Sequence, residues 1–228
     1  MFGTKLENLW FVENMMPLEI KEYTPIFRQA CENLRGQAYC TDKVIKGLMA
    51  VSSHETCFSA CPPFLGANNF GAIQCNHVAD KQGKCGAGCI PARDTSPKDD
   101  GTSVGYLGCF EAKSTIDEGV GRFVKLMTVD RPGIGKALET GSANAIAQAM
   151  RDARYYEGFG KNQAERVNNY AVAIDRNAKL IANRTQEANP IRYDAPISGE
   201  VTGAAGGFTV AVLIAELVRR LTKSSDLP

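Results

Sequence analysis

Charge of one sign is what this chain lacks first: 26 Lys and Arg stand against 25 Asp and Glu, a formal net charge of +1. With so little imbalance there is no bulk electrostatic drive toward nucleic acid or an anionic membrane. Long apolar runs are missing too. The uncharged, mostly apolar run of residues 203–215 is shorter than the roughly 18 to 20 residues that a simple spanning helix needs, and Glu216, Arg219, Arg220 and Lys223 follow it at once. Histidine is scarce, at two residues, and His54-Glu55 lacks the second histidine four positions on that a zinc peptidase helix requires, since position 58 is phenylalanine. The segment Met1–Trp10 has no basic start leading into an apolar run, so a standard cleaved leader is not expected.

Cysteine, by contrast, is abundant. Eight are present, and six of them (Cys57, Cys61, Cys75, Cys85, Cys89 and Cys109) fall close together. A disulfide framework would suit work outside a reducing cytoplasm, stapling loops that have little core of their own. Zinc is the rival, because Cys57-x3-Cys61 and Cys85-x3-Cys89 with His77 nearby could supply four ligands. The absence of Cys-x2-Cys knuckles and the irregular intervals favour disulfides, with no metal or cofactor expected.

At 228 residues and 44% hydrophobic content, the chain is long enough for one good core and a tail. Residues 1–24 read as an irregular arm carrying the single tryptophan, Trp10, with Phe11, Met15, Met16 and Leu18. Thr24-Pro25 has the form of a helix start, and Gly36 of a stop. Thr41 is an N-cap candidate for a second helix, in which Val44, Ile45, Leu48 and Val51 recur at helical spacing. Cys75–Cys89 is too poor in large apolar residues to form a core. Beyond it, Ile90–Ser96 and Thr102–Phe110 flank an Asp-Gly turn and predict a hairpin, across which a Cys89–Cys109 bond is geometrically attractive while the overall pairing stays open. Ser114-Thr-Ile-Asp117 has a capping-box form ahead of an apolar stripe that stops before Pro132. Ser142–Met150 and a long amphipathic run from Gln163 through Val167, Tyr170, Ile174 and Ile181 complete a mainly helical pattern in which Tyr170 reads as core. After Asn189-Pro190 the composition shifts to a linker and the apolar run, so the expected organisation is an arm (1–24), one domain (25–189) and a C-terminal segment (190–228).

Glu55 stands out within this pattern. It ends an apolar helix where the chain enters a Cys/Pro/Gly-rich loop, and a carboxyl sheltered on one side and open on the other tends to keep its proton near neutral pH, as a general acid must. His54 reads as a packing residue, because helix neighbours do not face one another and cannot form a nucleophilic set with Ser52 or Cys57.

Five segments add a resemblance. Glu55-Thr-Cys-Phe-Ser59 resembles the Glu-Ser-Gly-Trp-Gly motif of the glucosaminidase family of peptidoglycan hydrolases, which includes flagellar muramidases and many autolysins. Asn69-Phe-Gly-Ala-Ile73 is similar to that family's Asn-Leu-Phe-Gly-Ile, and Gly108–Gly119 to its aromatic-x-x-Tyr-x-Ser-x-x-Glu segment. Arg154-Tyr-Tyr-Glu-Gly158 and Asn169-Tyr-Ala-Val-Ala-Ile174 resemble Gly-Tyr-x-Thr-Asp and Tyr-Ala-x-Lys-Ile. The five run in the family's order over about residues 40 to 183. Phe58 replaces the family's tryptophan and Cys57 its glycine.

The resemblance implies an α+β, mainly α fold: a lysozyme-like helical domain with a small β-hairpin lobe. It implies Glu55 as general acid, Asp94 on the hairpin as second carboxylate in place of the usual glutamate, and Tyr155 lining the cleft, with Tyr156 as second choice. Phe58, Asn69, Phe70 and Tyr156 are the substrate-binding expectations. The implied activity is endo-β-N-acetylglucosaminidase on peptidoglycan glycan strands, followed by muramidase or lytic transglycosylase. A different class is a non-catalytic glycan-binding component of a virion or envelope-penetrating machine. Partner contacts through the termini, membrane contact by residues 203–221, and an extracytoplasmic site of action reached by virion or injection machinery complete the expectations.

Overall fold

The computed structural model describes residues 18–194 apart from 62, 98–102, 157 and 159. The arm around Trp10, the apolar segment 203–221 and the termini expected to dock on other proteins lie outside the described residues.

Helix α1 (Ile20–Arg35) begins before the expected start at Thr24-Pro25. The reason is burial: Ile20, Tyr23, Phe27 and Cys31 share one face and are all interior, so the apolar stripe opens ahead of the proline. The backbone N–H of Glu19 donates to the Glu22 carboxylate at 2.7 Å in a capping box, and Pro25 sits on the exposed side. Gly36, at φ 79°, ends the helix, and a Cys31–Cys40 disulfide with an Arg28–Asp42 ion pair ties α1 to the start of α2.

Helix α2 (Asp42–Thr56) is the central helix among the described residues. Val44 through Val51 are buried on every side, Lys46 included, whose ammonium pairs with Glu187 beyond the last helix. A helix apolar all round must be covered all round. The cover comes from α1, from α4 (Pro132–Thr140) and from α6 (Gln163–Thr185), with α5 (Ala143–Asp152) packed on both α4 and α6.

Three antiparallel strands form the lobe, in the order β1-β3-β2: β1 (Gln74–Val78), β2 (Cys89–Pro97) and β3 (Ser103–Glu111). The hairpin β2–β3 matches the pattern in the sequence. Strand β1 does not, because its residues lie in the stretch that reads as an insertion. All eight cysteines are paired, as Cys31–Cys40, Cys57–Cys61, Cys75–Cys89 and Cys85–Cys109. The expected Cys89–Cys109 bond is not made, because the register sets Cys89 opposite Glu111 and Cys109 opposite Pro91. The zinc alternative is left with no thiolate.

Helix α3 (Ile116–Lys125) is capped one residue later than expected, by Thr115, whose hydroxyl accepts from the N–H of Glu118 while the Glu118 carboxylate accepts from that of Ser114. It continues as a π-helical turn, Leu126–Asp130, and α4 follows with Pro132 in its first turn. Sequence reasoning passes over α4, where Gly133 and Gly135 dilute the pattern. Gly135 has a purpose there: the Tyr39 hydroxyl donates to its carbonyl at 2.8 Å, and a Cβ would crowd that hydroxyl.

Candidate functional site

The C-terminus of α2 is an abrupt reversal. Cys57, Phe58 and Ser59 all have positive φ, at 51°, 56° and 64°. Non-glycine side chains rarely adopt this conformation, and three in succession need external support. The Cys57–Cys61 disulfide closes the turn covalently, the Ser59 N–H donates to the Thr56 hydroxyl at 3.1 Å, and the Ser59 hydroxyl donates to the Phe64 carbonyl at 2.8 Å.

This reversal decides where two expected binding residues go. Phe58 turns inward and stacks on Tyr23 with ring centroids 4.8 Å apart, at 1% exposure. Phe70, from the loop after the turn, joins the same aromatic cluster with Phe27 and is wholly buried. Both side chains are packing residues here, not walls offered to a ligand. Asn69 is likewise interior: its amide donates to the Ile73 and Glu111 carbonyls, and its oxygen accepts from the Gly71 and Ile73 N–H groups. It shapes the loop that joins α2 to the lobe.

Glu55, one turn of chain away, is half-buried. The Tyr170 hydroxyl on α6 donates to Oε1 of its carboxylate. Burial drives the Glu55 carboxyl up to about 7, the Tyr170 hydrogen bond opposes the rise, and the negative charge of Asp94 adds to it. Tyr170 is therefore more than the core residue that helical spacing predicts. It is buried, and its polar end is spent on Glu55.

Tyr170 is itself clamped. Tyr156 stacks on it with centroids 3.9 Å apart and planes 13° apart, while the Tyr156 hydroxyl donates to the Ala147 carbonyl at 3.0 Å. The His54 ring meets Tyr170 edge-on at 4.8 Å. Burial, with the nearby Arg176 charge, pushes His54 down to about 4, so it is neutral at physiological pH. Tyr155 is tied to the loop after the turn, its hydroxyl donating to the Gly71 carbonyl and the Arg131 guanidinium 5.8 Å above its ring. Burial and then the Glu55 charge raise its pKa well above the ordinary phenol value. Gly71 admits this contact because a Cβ there would strike Phe123 and the Tyr155 hydroxyl.

Asp94 sits on β2, half-buried, with Oδ2 accepting from Tyr106 at 2.7 Å and from Gln74 at 2.9 Å. The tertiary structure thus gathers Glu55, Tyr155 and Tyr156 with the unforeseen Tyr170, sets Asp94 within electrostatic reach, and sends Phe58 and Phe70 into the core. Among the described residues no group of His, Cys, Asp and Glu is arranged to hold a metal ion. A carboxyl that titrates near neutrality can give a proton to a leaving oxygen and take one back.

No protein-family model matches the sequence, and no curated protein matches it. Two solved structures resemble the fold. One is a peptidoglycan hydrolase mutant from Sphingomonas sp. A1, 13% identical, the match covering 73% of this chain and 98% of that one with a TM-score of 0.45. The other is the catalytic domain of the autolysin Auto from Listeria monocytogenes, 12% identical, covering 82% of this chain and 98% of that one with a TM-score of 0.44.

Proposed function

We propose that this protein is a glycoside hydrolase that cuts the glycan strand of peptidoglycan, with Glu55 as general acid. The observation that carries the reading is the Glu55 carboxyl itself: half-buried at the end of an interior helix, held by the Tyr170 hydroxyl, and pushed up to about 7. A carboxyl in that range is protonated in a useful fraction of molecules at neutral pH and still acidic enough to protonate a glycosidic oxygen.

In this reading Glu55 donates to the oxygen that joins N-acetylglucosamine to its neighbour. Positive charge then builds at the anomeric carbon, where Asp94 or the substrate's own acetamido oxygen stabilises it. Tyr170 fixes which way Glu55 points. Tyr155, by pinning the Gly71 carbonyl, holds the loop beside the acid in place, and Tyr156 supports Tyr170 from behind. The five motif resemblances supply the substrate class, and endo-β-N-acetylglucosaminidase is the specificity they favour. The four disulfides support work in an oxidising compartment outside the cytoplasm.

Digestion of purified cell walls, with mass analysis of the new reducing ends, tests the proposal. N-acetylglucosamine ends are expected. Muramic or anhydromuramic ends would assign the muramidase or lytic transglycosylase reaction to the same acid, and no Glu55-dependent product would leave a glycan-binding role.

A further inference from the structure

Resting on the glycan-cleaving reading of Glu55, we propose that Gln74 and Tyr106 are positioning residues that clamp the Asp94 carboxylate in one fixed orientation for the reaction that Glu55 starts. Each of the three strands contributes one member: Gln74 from β1, Asp94 from β2 and Tyr106 from β3. Asp94 and Tyr106 are direct register partners. The Tyr106 hydroxyl donates to Asp94 Oδ2 at 2.7 Å, and the Gln74 amide nitrogen donates both to that same oxygen at 2.9 Å and to the Tyr106 hydroxyl oxygen at 2.7 Å.

The three polar atoms close a triangle. The tyrosine hydroxyl gives its single hydrogen to the carboxylate, while the glutamine NH2 lies between Asp94 Oδ2 and the hydroxyl oxygen and is shared by the two acceptors. Both bonds to Asp94 end on a charged acceptor, which makes them the stronger kind.

Fold stability gives little reason for such an arrangement. Aspartate is disfavoured within strands, and the cluster is partly exposed, where water would satisfy the same groups at no ordering cost. Fixing two long side chains on one carboxylate oxygen makes sense where the carboxylate's direction matters, and a charge aimed at a reacting centre loses much of its effect when misplaced by about 1 Å. The negative charge of Asp94 is felt at Glu55.

The backbone is built around the same point. The β1–β3 register slips between Gln74, opposite Phe110, and Val78, opposite Gly108, an irregularity of the type that re-aims side chains. The neighbouring Cys75 is bonded to Cys89 at the start of β2, so the strands that carry Gln74 and Asp94 are cross-linked on either side of β3.

A kinetic double-mutant cycle decides the matter. Initial rates on soluble glycan strands from purified sacculi would be measured for wild type, Tyr106→Phe, Gln74→Ala, Asp94→Asn and the two combinations with Asp94→Asn, with Glu55→Gln as control. Tyr106→Phe keeps the ring and removes only the hydroxyl, so it survives as a test even if Gln74→Ala folds poorly. Each single change is expected to lower kcat about 10- to 100-fold, with KM held within about twofold. In the Asp94→Asn background, each should cost less than about a further twofold, because its route of action is gone. Wild-type kcat in Tyr106→Phe, or an undiminished loss in the Asp94→Asn background, would overturn the clamp while leaving the glycosidase reading intact. A wild type no faster than Glu55→Gln would overturn both.

Discussion

Tyr170 and Glu55 lie 115 positions apart in the chain, yet the phenol hydroxyl of one donates to the carboxylate of the other. The contact joins the C-terminal end of α2 to α6. Two effects meet there with opposite sign: burial favours the protonated carboxyl, and the hydrogen bond favours the carboxylate.

Replacing Glu55 with glutamine keeps the shape and removes the proton. Glycan cleavage should fall by about 100-fold to 10,000-fold, the range typical of a lost general acid. Muropeptide release, followed alongside circular dichroism, checks this, and retained activity in a folded variant would remove Glu55 from the mechanism.

The same carboxyl predicts how the protein responds to pH. Activity should decline as pH rises through about 7, as the acid loses its proton. Stability moves the same way. The folded pKa stands above the ordinary value of 4.5, so this contribution is complete below about 4.5 and is lost as pH climbs through about 7. Its full size is up to about 3 kcal/mol. Glu55→Gln should therefore melt above wild type at pH 8 and lose that advantage at pH 4, which thermal unfolding at the two pH values measures.

Tyr170→Phe removes the bond that favours ionised Glu55. The alkaline limb of the rate profile should then move to higher pH, while kcat falls because the acid is no longer aimed. The Tyr156 stack survives this change, so stability should drop by only about 1 kcal/mol. A limb that stays put would mean that the hydroxyl does not tune the acid.

Cys57 occupies a left-handed position that glycine adopts without cost. Breaking the short Cys57–Cys61 loop by Cys61→Ala should cost about 2 kcal/mol. Adding Cys57→Gly should recover part of it by relieving the backbone. Melting temperatures of wild type and the two variants test the order: Cys61→Ala melting with wild type would show that the turn does not depend on its staple, and equal melting of the two variants that glycine at 57 relieves nothing.

Gly119 lets α3 press against the Asn68 carbonyl, because a Cβ there would land on that oxygen. Gly119→Ala should destabilise by about 1–3 kcal/mol, the cost of overpacking. The displaced loop carries Asn69 to Ile73, so cleavage should weaken as well, which denaturant melts and initial rates would show together.

The sequence by itself determined the local pieces. Thr41 and the apolar run behind it set α2 and deliver Glu55 to its end, the two strand-like runs that pair as β2 and β3 place Asp94, and the stripe from Gln163 sets α6. These follow from periodicity and capping, which act over a few residues. What only the tertiary structure decided is which partner each buried face meets. Helical spacing marks Tyr170 as interior but says nothing of the carboxyl its hydroxyl reaches, and motif order marks Phe58 and Phe70 without showing that three left-handed residues turn Phe58 into the core. Strand β1 and the pairing of Cys89 with Cys75 depend on register across β3, a long-range choice made by the hydrogen-bond ladder and not by the residues that flank each cysteine.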